Sequence, residues 1–219
     1  MIAPIDMTLD ELKNALAPLI GANAVFDGWS DEALATAAHA LGVPAERARL
    51  CFPGGQVEMI DAWFESIDKA MLDAFPPERI AATKIRDRIR ELILFRLTHV
   101  LPHREALRRA LAILALPQNL AAGTRLAWRS ADRIWRVAGD TATDFNHYTK
   151  RATLSGVYGS TVLVFLDDDS EDLAATRAFL GRRIEDVMKF EKFKARWRMG
   201  RERVPSLSRF IGRLRYPVV

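Results

Sequence analysis

Residues 144–192, DFNHYTKRATLSGVYGSTVLVFLDDDSEDLAATRAFLGRRIEDVMKFEK, constrain the fold more than any other part of the chain. Leu154, Tyr158, Val162 and Phe165 step by three and four residues along one bulky side of a helix. Ala152, Ser155, Gly156, Gly159 and Ser160 make a second side of small residues. Small residues at this spacing admit another backbone, or a lipid chain, at close range. Asp167, Asp168 and Asp169 stop the helix. Ser170 is placed to cap the next one, where Glu171 and Asp172 suit the positive end of the helix dipole. Leu173, Phe179, Leu180, Ile184, Val187 and Met188 continue the helical period. Nothing elsewhere in the chain alternates at period two over a useful length, so an all-α protein is expected.

Taken from its start, the chain supports this reading. Thr8-Leu9-Asp10-Glu11 is a capping box opening a helix from Leu9 to about Phe26, with Pro18 inside it. Ser30 caps a second helix that Gly42 stops, and a short third helix is expected over Ala45–Cys51. Helix, glycine turn and short helix form a helix-turn-helix pattern that resembles the TetR-type DNA-binding head. A fourth helix follows over Gln56–Phe75, and Pro76-Pro77 marks a boundary. A single long helix is expected over Glu78–Val100, nearly all apolar in its later part, which places it in a core or beside a ligand. Pro102 breaks it. The next helix closes near Ala115, and Asn119–Val137 forms another. The resulting division is a head over residues 1–75, a body over 76–204 and a tail over 205–219.

Charge is distributed unevenly. From Met1 to Phe75 four basic residues stand against twelve acidic ones, a balance of −8, while Arg182–Arg215 carries twelve basic and four acidic residues, a balance of +8. A duplex reader needs several cations to neutralise phosphates, and the third helix offers only Arg47 and Arg49. A retained helix-turn-helix fold without nucleic-acid binding is therefore expected. Beyond Pro205, Leu207, Phe210, Ile211 and Leu214 recur at helical spacing, with Arg209, Arg213 and Arg215 largely off the stripe. This is the pattern of a short basic amphipathic helix at a membrane surface, or of one that covers the protein's own core or a dimer seam. No run approaches the roughly 18 apolar residues of a membrane span. The N-terminus lacks a signal-peptide or Arg-rich transit pattern, so a bacterial cytoplasmic protein is the simpler expectation.

NHYTKRATLSGVYGST, FLDDDS, AFLGRRIEDVM and KFEK, with Leu50-Cys51-Phe52-Pro53-Gly54-Gly55 nearer the N-terminus, resemble the coenzyme Q biosynthesis protein nine family from about Ser30 to Lys194. The resemblance implies a non-enzymatic, TetR-like helical protein that binds isoprenoid lipid and assists the hydroxylase of a demethoxy-ubiquinone intermediate. No cofactor is implied beyond the bound lipid or quinone. It also implies association with the inner membrane, from the matrix side if the source is mitochondrial. Phe95, Leu126, Trp135, Leu154, Val157, Tyr158, Val162 and Phe165 are the expected lipid-binding side chains. Leu207, Arg209, Phe210, Ile211, Arg213 and Leu214 are the expected membrane contacts. Where the family's NWYT motif carries Trp, this chain has His147.

Several positions admit two readings. Gly156 and Gly159 permit tight packing at a homodimer seam as readily as contact with lipid. The bulky side of the same helix reads as plain core or as a cavity wall. Asn146, His147, Tyr148, Lys150 and Arg151 read as an exposed partner-binding surface or as helix capping. A ligand-responsive regulator of the TetR fold is the alternative function.

Catalytic chemistry is not legible. The Glu-x-x-His pairs of a diiron bundle are absent, and no Gly-rich phosphate loop follows a strand. His99 and His103 have the spacing of a shared helical face, but Pro102 lies between them. Asp167-Asp168-Asp169 reads as a solvated helix junction rather than a cation site, and Cys51, the single cysteine, as a space-filler. No metal and no catalytic residue are expected.

Overall fold

The computed structural model describes residues 3–80, 83–140 and 145–202, of which 5, 80, 145, 146 and 191–202 are described by backbone alone. Helix α1 (Leu9–Asp27) opens on the expected capping box: Thr8 Oγ1 accepts from the Glu11 N–H, and the Glu11 carboxylate accepts from the Thr8 N–H at 2.9 Å. Pro18 lies within α1 without ending it. Helix α2 (Asp31–Leu41) is capped by the Ser30 hydroxyl and stops at Gly42, whose φ of 72° suits a residue without Cβ. Helix α3 (Ala45–Leu50) has 6 residues. Helix α4 (Gln56–Ala74) follows.

The expected long helix over Glu78–Val100 is two helices, α5 (Pro77–Ile80) and α6 (Ile85–Val100). Lys84 is extended, and the Arg88 side chain donates to the Thr83 carbonyl at 2.7 Å, satisfying non-helical backbone just ahead of α6. Helices α7 (Arg104–Leu114), α8 (Leu120–Val137), α9 (Phe145–Leu166) and α10 (Ala174–Glu202) complete the chain. Among the described residues there is no strand.

The chain divides into two compact units, Met1–Leu180 and Gly181–Val219. In the first, α1 packs on α2, α4 and α7, α4 on α6 and α8, and α8 on α9. Pro76-Pro77 lies inside this unit. Trp29, just after α1, packs 5.2 Å from the Trp63 ring and donates its indole N–H to the Ala106 carbonyl at 3.0 Å, joining the N-terminal helices to α7. Gly21 makes room for this: a Cβ there would fall 2.2 Å from the Trp63 indole nitrogen. The second unit is described as the continuation of α10 to Glu202.

Candidate functional site

Helix α9 has a buried side and an open side. Leu154, Val157, Thr161, Val162, Phe165 and Leu166 are buried, as are Leu126, Ser130, Ala131 and Ile134 of α8, the helix on which α9 chiefly packs. Five of the expected lipid-binding side chains, Leu126, Leu154, Val157, Val162 and Phe165, thus lie in the interior. Arg104 of α7 places its guanidinium 5.1 Å from the centre of the Phe165 ring. Phe95 sits with Phe75 (5.4 Å, edge-on) and His99 (5.7 Å, stacked). Trp135 is half-buried beside Lys150, to whose carbonyl its indole N–H donates at 3.0 Å.

Tyr158 belongs to a polar group that crosses four helices. Its hydroxyl accepts from Arg96 Nε at 3.1 Å; Arg96 Nη2 donates to Ser130 Oγ at 3.2 Å, and Nη1 pairs with Asp68. Arg96 is 0 % exposed. Burial alone would favour the neutral guanidine, but Tyr158 and Asp68 outweigh it and hold the pKa of Arg96 above its ordinary value. Arg129 continues the group, 2.6 Å from Asp61 and 3.8 Å from Asp68. Asp68 Oδ2 and Arg129 Nε are buried without a hydrogen-bond partner, since 3.8 Å is beyond hydrogen-bond reach. None of this group except Tyr158 was singled out by sequence. The available signal was Arg96 itself, a lone cation among Leu92, Ile93, Leu97 and Val100.

The polar-aromatic run at the start of α9 separates into two roles. Arg151 is 1 % exposed and faces inward: Nε pairs with Asp132 at 2.7 Å, and Nη1 with Asp140 at 3.0 Å and the His147 carbonyl at 3.2 Å. Lys150 pairs with Asp140 at 2.6 Å. For Arg151 a contact-surface reading gives way to an internal clamp between α8 and α9, because a buried cation requires carboxylates and Asp132 and Asp140 supply them, whereas the Lys150 side chain stays 37 % exposed. Burial would raise the pKa of both carboxylates, but the hydrogen bonds from Arg151, with those from Arg136 to Asp132 and from Lys150 to Asp140, hold both below the usual range. Tyr148 differs: it is 62 % exposed, 6.1 Å from the Trp128 ring and 5.2 Å from half-buried His147. The Asn146 side chain lies outside the described residues.

From Tyr148 the open side of α9 continues through exposed Ala152, Gly156, Gly159 and Leu163. A Cβ added at Gly156 or Gly159 would meet nothing within 4 Å, so this chain does not crowd the small face.

The acidic triplet is a solvated junction at Asp167 and Asp169 but not at Asp168. Asp167 pairs with Arg108 at 2.8 Å and Asp169 with Arg104 at 3.2 Å, both arginines on α7. Asp168 is 4 % exposed and accepts from the backbone N–H groups of Ser170 (3.0 Å) and Thr176 (2.8 Å) and from both their hydroxyls. Burial opposes its charge, but those donors hold its pKa far below the usual carboxylate range. Ser170 Oγ accepts from the Ala175 N–H, so the expected cap acts one turn late, after the left-handed residues Asp172 and Leu173. Each carboxylate therefore has its own structural partner. Among the described residues no three His, Cys, Asp or Glu side chains are grouped to hold a metal. His99 and His103 are depressed in pKa, chiefly by burial, and Cys51 is buried, which raises its thiol.

In the N-terminal helices, Arg47 donates to the Met7 carbonyl, and Arg49 lies 3.6 Å from Asp31. Leu207, Arg209, Phe210, Ile211, Arg213 and Leu214 lie outside the described residues. No described helix is long and apolar enough to cross a membrane.

The COQ9 family model matches residues 120–191, which cover α8, α9 and the first part of α10. The chain is 34 % identical over 168 residues to the ubiquinone biosynthesis protein COQ9, mitochondrial, of Rattus norvegicus, covering 74 % of this chain and 54 % of that protein. Against the Homo sapiens protein of the same name the identity is 33 %, with 74 % and 52 % covered. The chain thus spans about half the length of the curated relatives it matches. Among solved structures, a TetR transcriptional regulator from Nitrosomonas europaea aligns with a TM-score of 0.64 and 24 % identity over 80 % of this chain and 97 % of that one, which establishes a TetR-like fold. With that fold, and with residues 120–191 matching the family's own model, the chain is a TetR-like relative of the mitochondrial COQ9 proteins and carries the COQ9 family domain.

Proposed function

We propose that the protein is a non-catalytic accessory factor of ubiquinone biosynthesis, which holds an isoprenoid quinone intermediate at the membrane surface and presents it to the demethoxyubiquinone hydroxylase. The observation that carries this reading is that the COQ9 match falls on α8 and α9, the helices that combine an apolar interior with an open, uncharged face beginning at exposed Tyr148. A polyprenyl quinone loses about 0.8 kcal/mol for each CH₂ moved from an apolar medium into water. A protein offering apolar contacts at the bilayer lowers that barrier without doing chemistry. In this reading Tyr148, Trp128 and His147 meet the hydroxylase, and the small face of α9 meets a second copy of the chain. The basic stripe at Leu207, Arg209, Phe210, Ile211, Arg213 and Leu214 meets anionic headgroups, on the inner membrane of a bacterium or the matrix face of a mitochondrion.

A DNA-binding regulator is the weaker reading. Its recognition helix would be the 6-residue α3, where Arg47 is engaged by Met7 and Arg49 faces Asp31. Mass spectrometry of lipid extracted from the natively purified protein tests the proposal. A prenylated quinone or its precursor is expected, and a preparation free of isoprenoid lipid that also fails to take up added quinone would refute it.

A further inference from the structure

Arg96 commits all three of its nitrogens inside the protein: Nη1 to Asp68, Nη2 to Ser130 Oγ and Nε to the Tyr158 hydroxyl. A hydroxyl that accepts from a guanidinium keeps its own hydrogen to give away, and no described hydrogen bond takes the hydrogen of Tyr158. Asp68, Arg96 and Ser130 are all buried, whereas Tyr158 is half-buried, which makes it the member of this group with part of its surface open.

Charge narrows what such a donor suits. Arg96 and Arg129 are balanced by Asp68 and Asp61. The group as a whole therefore carries no net charge, and the arrangement offers an anion no net attraction. What remains on offer is a neutral O–H, polarised by the adjacent cation and therefore a stronger donor than a free phenol. Its neighbours one turn away on either side of α9 are Leu154 and Val162, both apolar and buried, so competing water has few partners there. A polarised neutral donor beside apolar side chains fits a neutral acceptor oxygen carried by an apolar molecule.

We infer that the Tyr158 hydroxyl, held in place by Arg96, donates a hydrogen bond to a ring oxygen of the bound isoprenoid quinone. This rests on the lipid-holding reading above and adds to it a contact for the head group. In this arrangement Tyr158 is the binding residue and Arg96 the positioning residue. Asp68 and Ser130 keep the guanidinium from turning away.

The experiment uses the full chain, wild type and Tyr158→Phe, titrated with two probes that share a tail length, decyl-ubiquinone and decylbenzene, with tryptophan fluorescence as the readout. Loss of one polarised hydrogen bond should weaken decyl-ubiquinone about tenfold in Tyr158→Phe and leave decylbenzene within about twofold. Unchanged affinity for decyl-ubiquinone in the variant overturns the donor assignment while the lipid-holding reading stands. Equal weakening of both probes assigns Tyr158 to packing alone and overturns it too. Failure of wild type to bind either probe removes the lipid-holding reading and this inference together.

Discussion

Arg151 Nε lies 2.7 Å from a carboxylate oxygen of Asp132, and this contact, with the one to Asp140, fastens the start of α9 to α8. The Arg151 charge is buried, so the clamp is as strong as its carboxylates are ionised. Asp132 and Asp140 have lowered pKa values in the folded protein. A carboxylate whose folded pKa lies below its unfolded one contributes stability that is fully present above the unfolded value, about pH 4, and is lost as the pH falls through the folded value. Thermal melts of wild type and Asp132→Asn, taken from about pH 7 down to about pH 2.5, should show a gap in midpoint that narrows only below about pH 4. A gap that stays constant over this range would mean that the clamp is not electrostatic.

The buried pair Arg96–Asp68 gives a second expectation. Arg96→Met strands the buried Asp68 carboxyl without its partner and should cost about 3–5 kcal/mol. Replacing both, Arg96→Met with Asp68→Leu, removes the stranded carboxyl and should recover more than half of that loss. Chemical denaturation of the two variants decides this. If the double variant is less stable than the single one, then Asp68 is held chiefly by other donors.

How much of this was readable from the chain depended on the distance between partners. The Thr8–Glu11 box and the Ser30 cap are three-residue relationships, and the structure contains both. Gly42 stops α2 because a left-handed φ is a local demand. The break before α6 was hidden because the residue that satisfies the Thr83 carbonyl is a side chain, Arg88, already inside the next helix. Arg96 was passed over because its partners stand 28, 34 and 62 residues away on three other helices. The burial of Arg151 is hidden for the same reason, since its pairing carboxylates sit on and just beyond α8. Composition hides Asp168: three aspartates in a row suggest solvation, but only the outer two face solvent.

Tyr148 and Arg151 are one helical turn apart on α9, yet substitution should separate them. Tyr148→Ala removes a side chain that is mostly in solvent, and folding stability should change by no more than about 0.5 kcal/mol. Arg151→Ala strands Asp132 and Asp140 and should cost about 3 kcal/mol or more. If the proposed docking of the demethoxyubiquinone hydroxylase runs through Tyr148, a pull-down should show that Tyr148→Ala loses binding at a temperature where it is fully folded. Tyr148→Ala that binds normally would move the docking surface elsewhere.

The open face of α9 supplies the last expectation. Gly156 and Gly159 are exposed, have free space where a Cβ would stand, and neither has a positive φ, so a side chain starting there meets no neighbour at its Cβ and no backbone strain. Gly159→Leu should raise the stability of the isolated fold slightly, by about 0.5–1 kcal/mol, because leucine is the better helix former. If two copies meet through this face, the same leucine holds their backbones apart, since small residues are what allow close approach. Sedimentation equilibrium of the variant should then give the mass of one chain where wild type gives two, with a melting temperature at least as high when both are measured as monomers. A Gly159→Leu protein that remains a dimer of unchanged affinity would exclude this face as the seam. A variant that loses both assembly and stability would show that Gly159 is packed within the chain after all.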